Sequence, residues 1–251
     1  WCQRMSAKRI AITGSNGKTT VKNLTAGILA RVGETLATTG NLNNELGLPL
    51  SVLRIREKHQ FAVLEMGAGK PGDIAYLAGI ARPHVALVNN AMAAHLERLG
   101  DVHGVAEEKS SIYRALLPGG TAVINFDDAE LPCFLHAASA AGAAKLTFSL
   151  NSPAADVYAT DVKLGLVEFG PASTFTLNCP LGSAPISLCR ALLRRRYQRP
   201  AQTIPATGRL ELIRRQLQCE SGVSKSWNRG ISGPWWKPLG GARKYGGTWR
   251  G

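Results

Sequence analysis

No stretch of this 251-residue chain approaches the 18 or more consecutive apolar residues that a membrane span requires. Its first residues lack the basic-then-apolar order of a secretory leader. Membrane-spanning and secreted classes are set aside, and the cytoplasm is the expected compartment. Cysteine is thinly spread: Cys2, Cys133, Cys179, Cys189 and Cys219 are scattered, odd in number and contain no C-x-x-C pair, which argues against a disulfide framework or a zinc site. Acidic residues are nearly missing from one end. Residues 1–188 hold 16 Lys+Arg against 15 Asp+Glu and residues 189–251 hold 14 against 2, so the net charge of +13 divides into +1 and +12. A partner recruited by charge, such as nucleic acid, can concern only that last quarter. The rest is an electrically ordinary stretch long enough for its own core.

What is present is alternation. Short β-rich runs at Arg9 to Thr13, Thr35 to Thr38, Phe61 to Glu65, Val85 to Asn89, Thr121 to Asn125 and Lys145 to Phe148 are separated by helical stretches. Those stretches are Thr20 to Val32, Asp73 to Ala81, Val102 to Leu116 and Pro132 to Ala141, and in the first the apolar face is expected to be Val21, Leu24, Ile28 and Leu29. Strand and helix alternating at this length predict an α/β fold: a mostly parallel sheet with helices on both faces and ligands at the carboxyl ends of its strands. From Ala155 the period changes to two, at Val157 to Leu164, Ser173 to Leu177 and Ile186 to Leu188, predicting a small antiparallel extension of the same domain.

The first strand runs into Gly14-Ser-Asn-Gly-Lys-Thr-Thr20. A glycine turn opening a helix aims backbone N–H groups at a phosphate, Lys18 adds an ammonium and Thr19 a hydroxyl that can face Mg²⁺. The usual G-x-x-x-x-G-K-[ST] spacing wants glycine where Ile12 stands, so the motif is the shorter G-x-x-G-K-T. A plain strand-to-helix turn is the alternative. Four further places lie at or beyond strand ends. The block Thr38 to Pro49, with Asn43 and Asn44, is either a set of turns or a polar binding loop. Glu65 is a solvated strand end or a metal ligand opposite the glycine turn. His95 is structural or a ligand. Lys109, beside Glu107 and Glu108 on a predicted helix, makes a surface ion pair or enters the site.

Taken in order, T-G-S-N-G-K-T-T at Thr13 to Thr20, G-N-L-N-N-E-L-G-L-P at Gly40 to Pro49, E-M-G-A at Glu65 to Ala68 and A-L-V-N-N with A-H-L-E between Ala86 and Glu97 resemble the Mur ligases over about Lys8 to Leu188. These are ATP-dependent enzymes that extend the peptide of the bacterial cell-wall precursor. The Asn-rich block resembles the members that join D-alanyl-D-alanine to UDP-N-acetylmuramoyl-tripeptide. The resemblance implies a central ATPase domain that phosphorylates the peptide carboxylate and lets the incoming amine attack the acyl phosphate. On this chain it implies that Gly14, Ser15, Asn16, Gly17, Lys18, Thr19 and Thr20, with Asn43 and Asn44, bind ATP. Thr19 and Glu65 would hold a first Mg²⁺ and His95 a second, and Lys109 stands where related ligases carry a carbamylated lysine.

The chain also departs from the family. Residues 1–7 read as the end of an interdomain linker, so the domain that grips the UDP-sugar is expected to be absent. After Leu188 the family's text stops, resuming briefly at Thr207-Gly-Arg-Leu-Glu-Leu-Ile213 within the family-like stretch 207–215. A frameshift accounts for this: read from the third base of each codon, the genetic code permits family-like text over Leu188 to Thr203 and again over Gly247 to Arg250. The expectation is a truncated copy with little or no ligase activity. The competing reading is a nucleotide-binding module whose basic tail, with four of the five tryptophans, binds nucleic acid. Because the tail shows no amphipathic or repeating order, nucleic acid is the less favoured partner.

Overall fold

The computed structural model describes residues 1–167 and 170–189. The basic tail, with the frameshift, the nucleic-acid reading and the segment 207–215, lies outside the described residues. Strands β1 (Lys8–Thr13), β2 (Thr35–Ala37), β3 (Phe61–Glu65), β4 (Val85–Val88), β5 (Thr121–Asn125), β6 (Ala144–Ser149), β7 (Val157–Val167), β8 (Gly170–Cys179) and β9 (Gly182–Cys189) form one sheet in the order β2-β3-β1-β4-β5-β6-β7-β8-β9. Pairing is parallel through β7 and antiparallel from β7 to β9. The mostly parallel α/β fold read from the sequence is therefore the fold observed.

Helices are α1 (Lys18–Leu29), α2 (Gly47–Leu53), α3 (Asp73–Ala81), α4 (Leu96–Leu99), α5 (Val102–Ser110) and α6 (Leu131–Ala140), with a 3₁₀ turn at Ser111–Ala115 after α5. From β1 the chain moves outward to β2 through α1, and every later parallel crossover moves the other way. Right-handed crossovers therefore put α1 on one face and α2, α3, α5 and α6 on the other. The central strands are covered on both sides. Ala11, Ile12, Val63, Leu64, Val88 and Ile124 are buried, which is why these strands read as continuous apolar runs rather than as alternating ones. Buried Arg9 ties the first residues to the sheet, donating to the carbonyls of Cys2, Met5, Ala7 and Arg82.

The structure differs from the sequence reading at three places. The helix predicted over Val102 to Leu116 tightens into the 3₁₀ turn after Ser110. Helix α2 begins inside the block read as either a set of turns or a polar binding loop, because Asn44 Oδ1 accepts the Gly47 amide at 2.9 Å and supplies its start. On α1 the buried side chain is Lys22, while Ile28 is 68% exposed. Of the apolar face expected there, Val21, Leu24 and Leu29 are half-buried and Ile28 is not.

Candidate active site

The chain reverses its direction of travel across the sheet at β1, so the carboxyl ends of β1, β3 and β4 converge where an open α/β sheet places its ligands. Thr13 ends β1 and its hydroxyl donates to Met66 O at 2.9 Å, holding the end of β3 alongside. Gly14 (φ 150°) and Gly17 (φ 77°) then turn the chain into α1. Gly17 has a second reason to lack a side chain, since a Cβ there would lie 2.8 Å from Asn89 Nδ2.

The loop is braced by the segment after β4. Asn90 accepts the Ser15 amide through its carbonyl at 3.0 Å and the Asn16 amide through Oδ1 at 2.9 Å, and Asn89 Nδ2 donates to Asn16 O at 2.8 Å. Ser15 Oγ accepts the Met92 amide at 2.9 Å. Gly17 caps α1 without a side chain, so the amides of the first helical turn keep their donors for an anion. Lys18 folds back over the turn, its ammonium donating to Gly14 O at 2.7 Å and Ser15 O at 3.0 Å. Burial lowers its pKa, partly offset by the Glu65 charge.

Opposite the loop, Glu65 ends β3 and is 2% exposed. Its Oε1 accepts from Thr19 Oγ1 at 3.2 Å and Asn43 Nδ2 at 2.9 Å. Its amide donates to Thr38 Oγ1 at 3.0 Å. Lys22 Nζ lies 3.4 Å from Oε2, both side chains being 3% exposed, and donates to Thr38 O at 2.9 Å. Oε2 itself is buried and accepts no hydrogen bond among the described residues. The oxygen beside the Thr19 hydroxyl is Oε1, while Oε2 faces the Lys22 ammonium. A buried carboxylate next to a hydroxyl is a donor pair that could hold a small cation. Thr19 and Glu65 supply the all-oxygen donor set that Mg²⁺ prefers, the remaining positions falling to phosphate oxygens and water.

Lys109 is not the surface residue that its acidic neighbours suggested. It is 3% exposed and makes no ion pair among the described residues. Burial and then the Lys18 charge push its pKa down to about 8, against an opposing pull from Glu108. Glu108 is occupied elsewhere, accepting the Gly72 and Ile74 amides at 2.7 Å each at the head of α3. Glu107 faces His103. His95 is exposed at the head of α4 with φ 54°; its carbonyl accepts the Arg98 and Leu99 amides, and its side chain has no hydrogen-bond or ion-pair partner among the described residues.

Glu65, Thr19, Asn43 and the loop are thus brought together, Lys109 lies near enough to feel Lys18, and His95 stands apart. Asn44 spends its side-chain oxygen on α2. Sequence reasoning missed Lys22, and gave no individual role to Thr38, Asn89 and Asn90, which lay in the stretches it singled out. Lys22, four residues after Lys18 on one helix face, was the available signal. Beside Asn43 a cavity of about 340 Å³ opens between the loop after β3 and α4.

A doubly covered parallel sheet carrying a glycine turn, Lys-Thr and a buried carboxylate on the adjacent strand defines an α/β domain of the phosphate-loop class. Residues 12–181 match the Mur ligase middle domain, and the chain belongs to the Mur ligase family. It is 41% identical over 187 residues to the UDP-N-acetylmuramoyl-tripeptide--D-alanyl-D-alanine ligase of Escherichia coli K12, covering 74% of this chain and 40% of that protein. Among solved structures it is similar to the UDP-N-acetylmuramoylalanyl-D-glutamyl-2,6-diaminopimelate--D-alanyl-D-alanyl ligase of Acinetobacter baumannii, at 39% identity and a TM-score of 0.66, over 73% of this chain and 38% of that one. It is also similar to the MurF ligase of Thermotoga maritima in complex with ADP, at 31% identity and a TM-score of 0.64, over 74% and 41%. The chain spans about 40% of the length of the curated relatives it matches first.

Proposed function

We propose that residues 8–188 are the ATP-activating domain of a cytoplasmic ligase that joins D-alanyl-D-alanine to UDP-N-acetylmuramoyl-tripeptide in cell-wall precursor synthesis. The observation that carries this reading is Glu65, a buried carboxylate with one oxygen bound by Thr19 and Asn43 and the other accepting no hydrogen bond. The similarity to an ADP-bound ligase supports the nucleotide. Gly14 to Thr20 cradle the terminal phosphates of ATP, and Lys18 exchanges its two carbonyl partners for phosphate oxygens, which offer a stronger charge-assisted bond.

Thr19 and Glu65 would hold Mg²⁺, which supplies charge neutralisation between the β- and γ-phosphate oxygens. Lys22, 3.4 Å from Oε2, holds Glu65 in position. Asn89 and Asn90 fix the loop by occupying the Ser15 and Asn16 amides and the Asn16 carbonyl, so that the amides of the first turn of α1 are held ready for phosphate. A second Mg²⁺ would fall to His95 by resemblance to the family, although its exposed side chain stands apart from Thr19 and Glu65. Lys109, with its pKa near 8, keeps a fraction of neutral amine at physiological pH. That is the form able to add carbon dioxide, releasing one proton, to give a carbamate.

The test is calorimetric titration of the chain with ATP and Mg²⁺, beside Lys18→Ala. Saturable binding weakened on the order of tenfold or more by the substitution is expected. No binding by the unaltered chain, or equal affinity of the variant, would overturn the reading.

A further inference from the structure

We propose that Met92 is a reversible oxidation site: a hydroperoxide converts its thioether to the sulfoxide, and the added oxygen displaces Asn16 and loosens the grip of the phosphate loop on nucleotide. The proposal rests on reading Gly14 to Thr20 as a nucleotide loop. It adds redox control to that loop.

The chain has three methionines, and their surroundings differ. Met66, just after β3, is fully buried, and Met5 is half-buried against Ala7, Leu36, Ile55 and Ala62. Met92, on the segment after β4, is 51% exposed. Oxidation by a small peroxide follows access, so Met92 is reached first. The step balances with the peroxide as the only co-reactant. A lone pair of Met92 Sδ takes one oxygen of hydrogen peroxide and the O–O bond breaks. Sulfur is oxidised by two electrons and the peroxide is reduced by two. The other oxygen leaves as hydroxide, takes the proton from the transferred oxygen and becomes water.

The position of the sulfur gives that oxidation a consequence. Asn16 Nδ2 donates to Met92 Sδ at 3.3 Å, the one hydrogen bond of the Asn16 side chain among the described residues. The Met92 backbone is bound to the loop twice, since Ser15 Oγ accepts its amide at 2.9 Å and donates to its carbonyl at 3.1 Å. The residue therefore cannot withdraw from the loop when its side chain changes. A thioether is a weak acceptor, whereas the sulfoxide is polar and carries its acceptor one atom further out. An N–H···O bond needs about 2.9 Å between its heavy atoms, so no oxygen can be inserted into the 3.3 Å gap between Sδ and Nδ2. Either the new oxygen takes the Asn16 donor and pushes it outward, or it turns away and leaves behind a sulfur that has given up a lone pair. Both outcomes move Asn16, whose neighbour Gly17 starts α1 at φ 77°. The first-turn amides are then no longer held where phosphate needs them.

The experiment treats the full chain with hydrogen peroxide and then with a thiol, which returns oxidised cysteines to thiols and leaves the sulfoxide in place. Peptide mass spectrometry locates the added oxygen, calorimetry measures the affinity for ADP with Mg²⁺, and urea unfolding measures stability. Met92 should take up oxygen before Met5 and Met66. The ADP affinity should fall about threefold to tenfold, the worth of one hydrogen bond, with the urea midpoint unchanged. Methionine sulfoxide reductases of both epimer specificities, with their thiol reductant, should restore it. Met92→Leu, compared with itself before and after the same treatment, should lose no affinity. Met5 or Met66 oxidised as fast as Met92, full oxidation of Met92 with unchanged affinity, no recovery with the reductases, or an equal loss in Met92→Leu would each overturn the proposal. Failure of the untreated chain to bind ADP would instead count against the nucleotide reading. The NMR signals of the Asn16 side-chain amide, which must shift when Met92 is oxidised and stay in place in treated Met92→Leu, then decide the proposal.

Discussion

Replacing Lys22 by methionine keeps most of the side chain's volume and removes one charge, and the structure fixes what that should cost. The ammonium lies 3.4 Å from Glu65 Oε2 with both side chains 3% exposed. At an effective dielectric constant of about 20, Coulomb's law puts their attraction at about 5 kcal/mol. Part of that is offset because the buried ammonium and its own desolvation leave together. A net loss of about 3 kcal/mol is expected, at the lower end of the cost of removing one member of a buried pair. Against a total stability of about 5–15 kcal/mol for a domain, Lys22→Met should still fold. Glu65→Gln in the Lys22→Met background removes the stranded carboxylate and should recover about 2 kcal/mol. Urea unfolding of the four proteins, read at equal denaturant slope, gives the coupling directly. A Lys22→Met shift below about 0.5 kcal/mol, or two substitutions whose effects simply add, would refute the reasoning that Lys22 serves Glu65.

Other consequences are as specific. Lys109 has a pKa near 8 in the fold and about 10.4 unfolded. Between those values the unfolded chain binds more protons, so stability should rise with pH by at most about 3 kcal/mol from this group and be flat below pH 8. Urea midpoints from pH 7.5 to 10.5 should show that slope, and Lys109→Met should lack it and be more stable at pH 7. Gly17→Ala forces a φ of 77° on a residue whose Cβ would lie 2.8 Å from Asn89 Nδ2; a loss of about 1–3 kcal/mol by thermal or urea unfolding is expected. Glu108→Ala removes two 2.7 Å bonds to the Gly72 and Ile74 amides, and should lower the urea-derived stability by about 2–3 kcal/mol and speed hydrogen exchange at those amides.

The parallel sheet was legible because its strands are covered on both faces and so appear as unbroken apolar runs such as Phe61 to Glu65. The turn at Gly14 to Thr20 was legible because glycine, lysine and threonine there answer to one ligand chemistry. Glu65 could be suspected from its place at a strand end. Its environment could not, because Lys22, Thr38 and Asn43 come from separate parts of the chain and meet only after the strands are ordered. Lys22 also departs from the pattern rule for α1, since it is more deeply buried than Val21, Leu24 and Leu29 of the expected apolar stripe, whose fourth member, Ile28, is exposed. For Lys109 the sequence placed the helix correctly but left open a surface pair with the adjacent glutamates or entry into the site; the residue is buried, because Glu108 turns away to hold the start of α3. The Asn89 and Asn90 brace left no local signature, because its bonds span more than 70 residues.

The central claim is that Glu65 and Thr19 together receive the metal that accompanies the nucleotide. Its most direct test is the calorimetric affinity of the chain for ADP, measured with Mg²⁺ and with chelator, for the unaltered protein and for Glu65→Gln. Mg²⁺ should tighten binding in the unaltered protein, and the gain should disappear in Glu65→Gln. The same Mg²⁺-dependent gain in both proteins would contradict the claim.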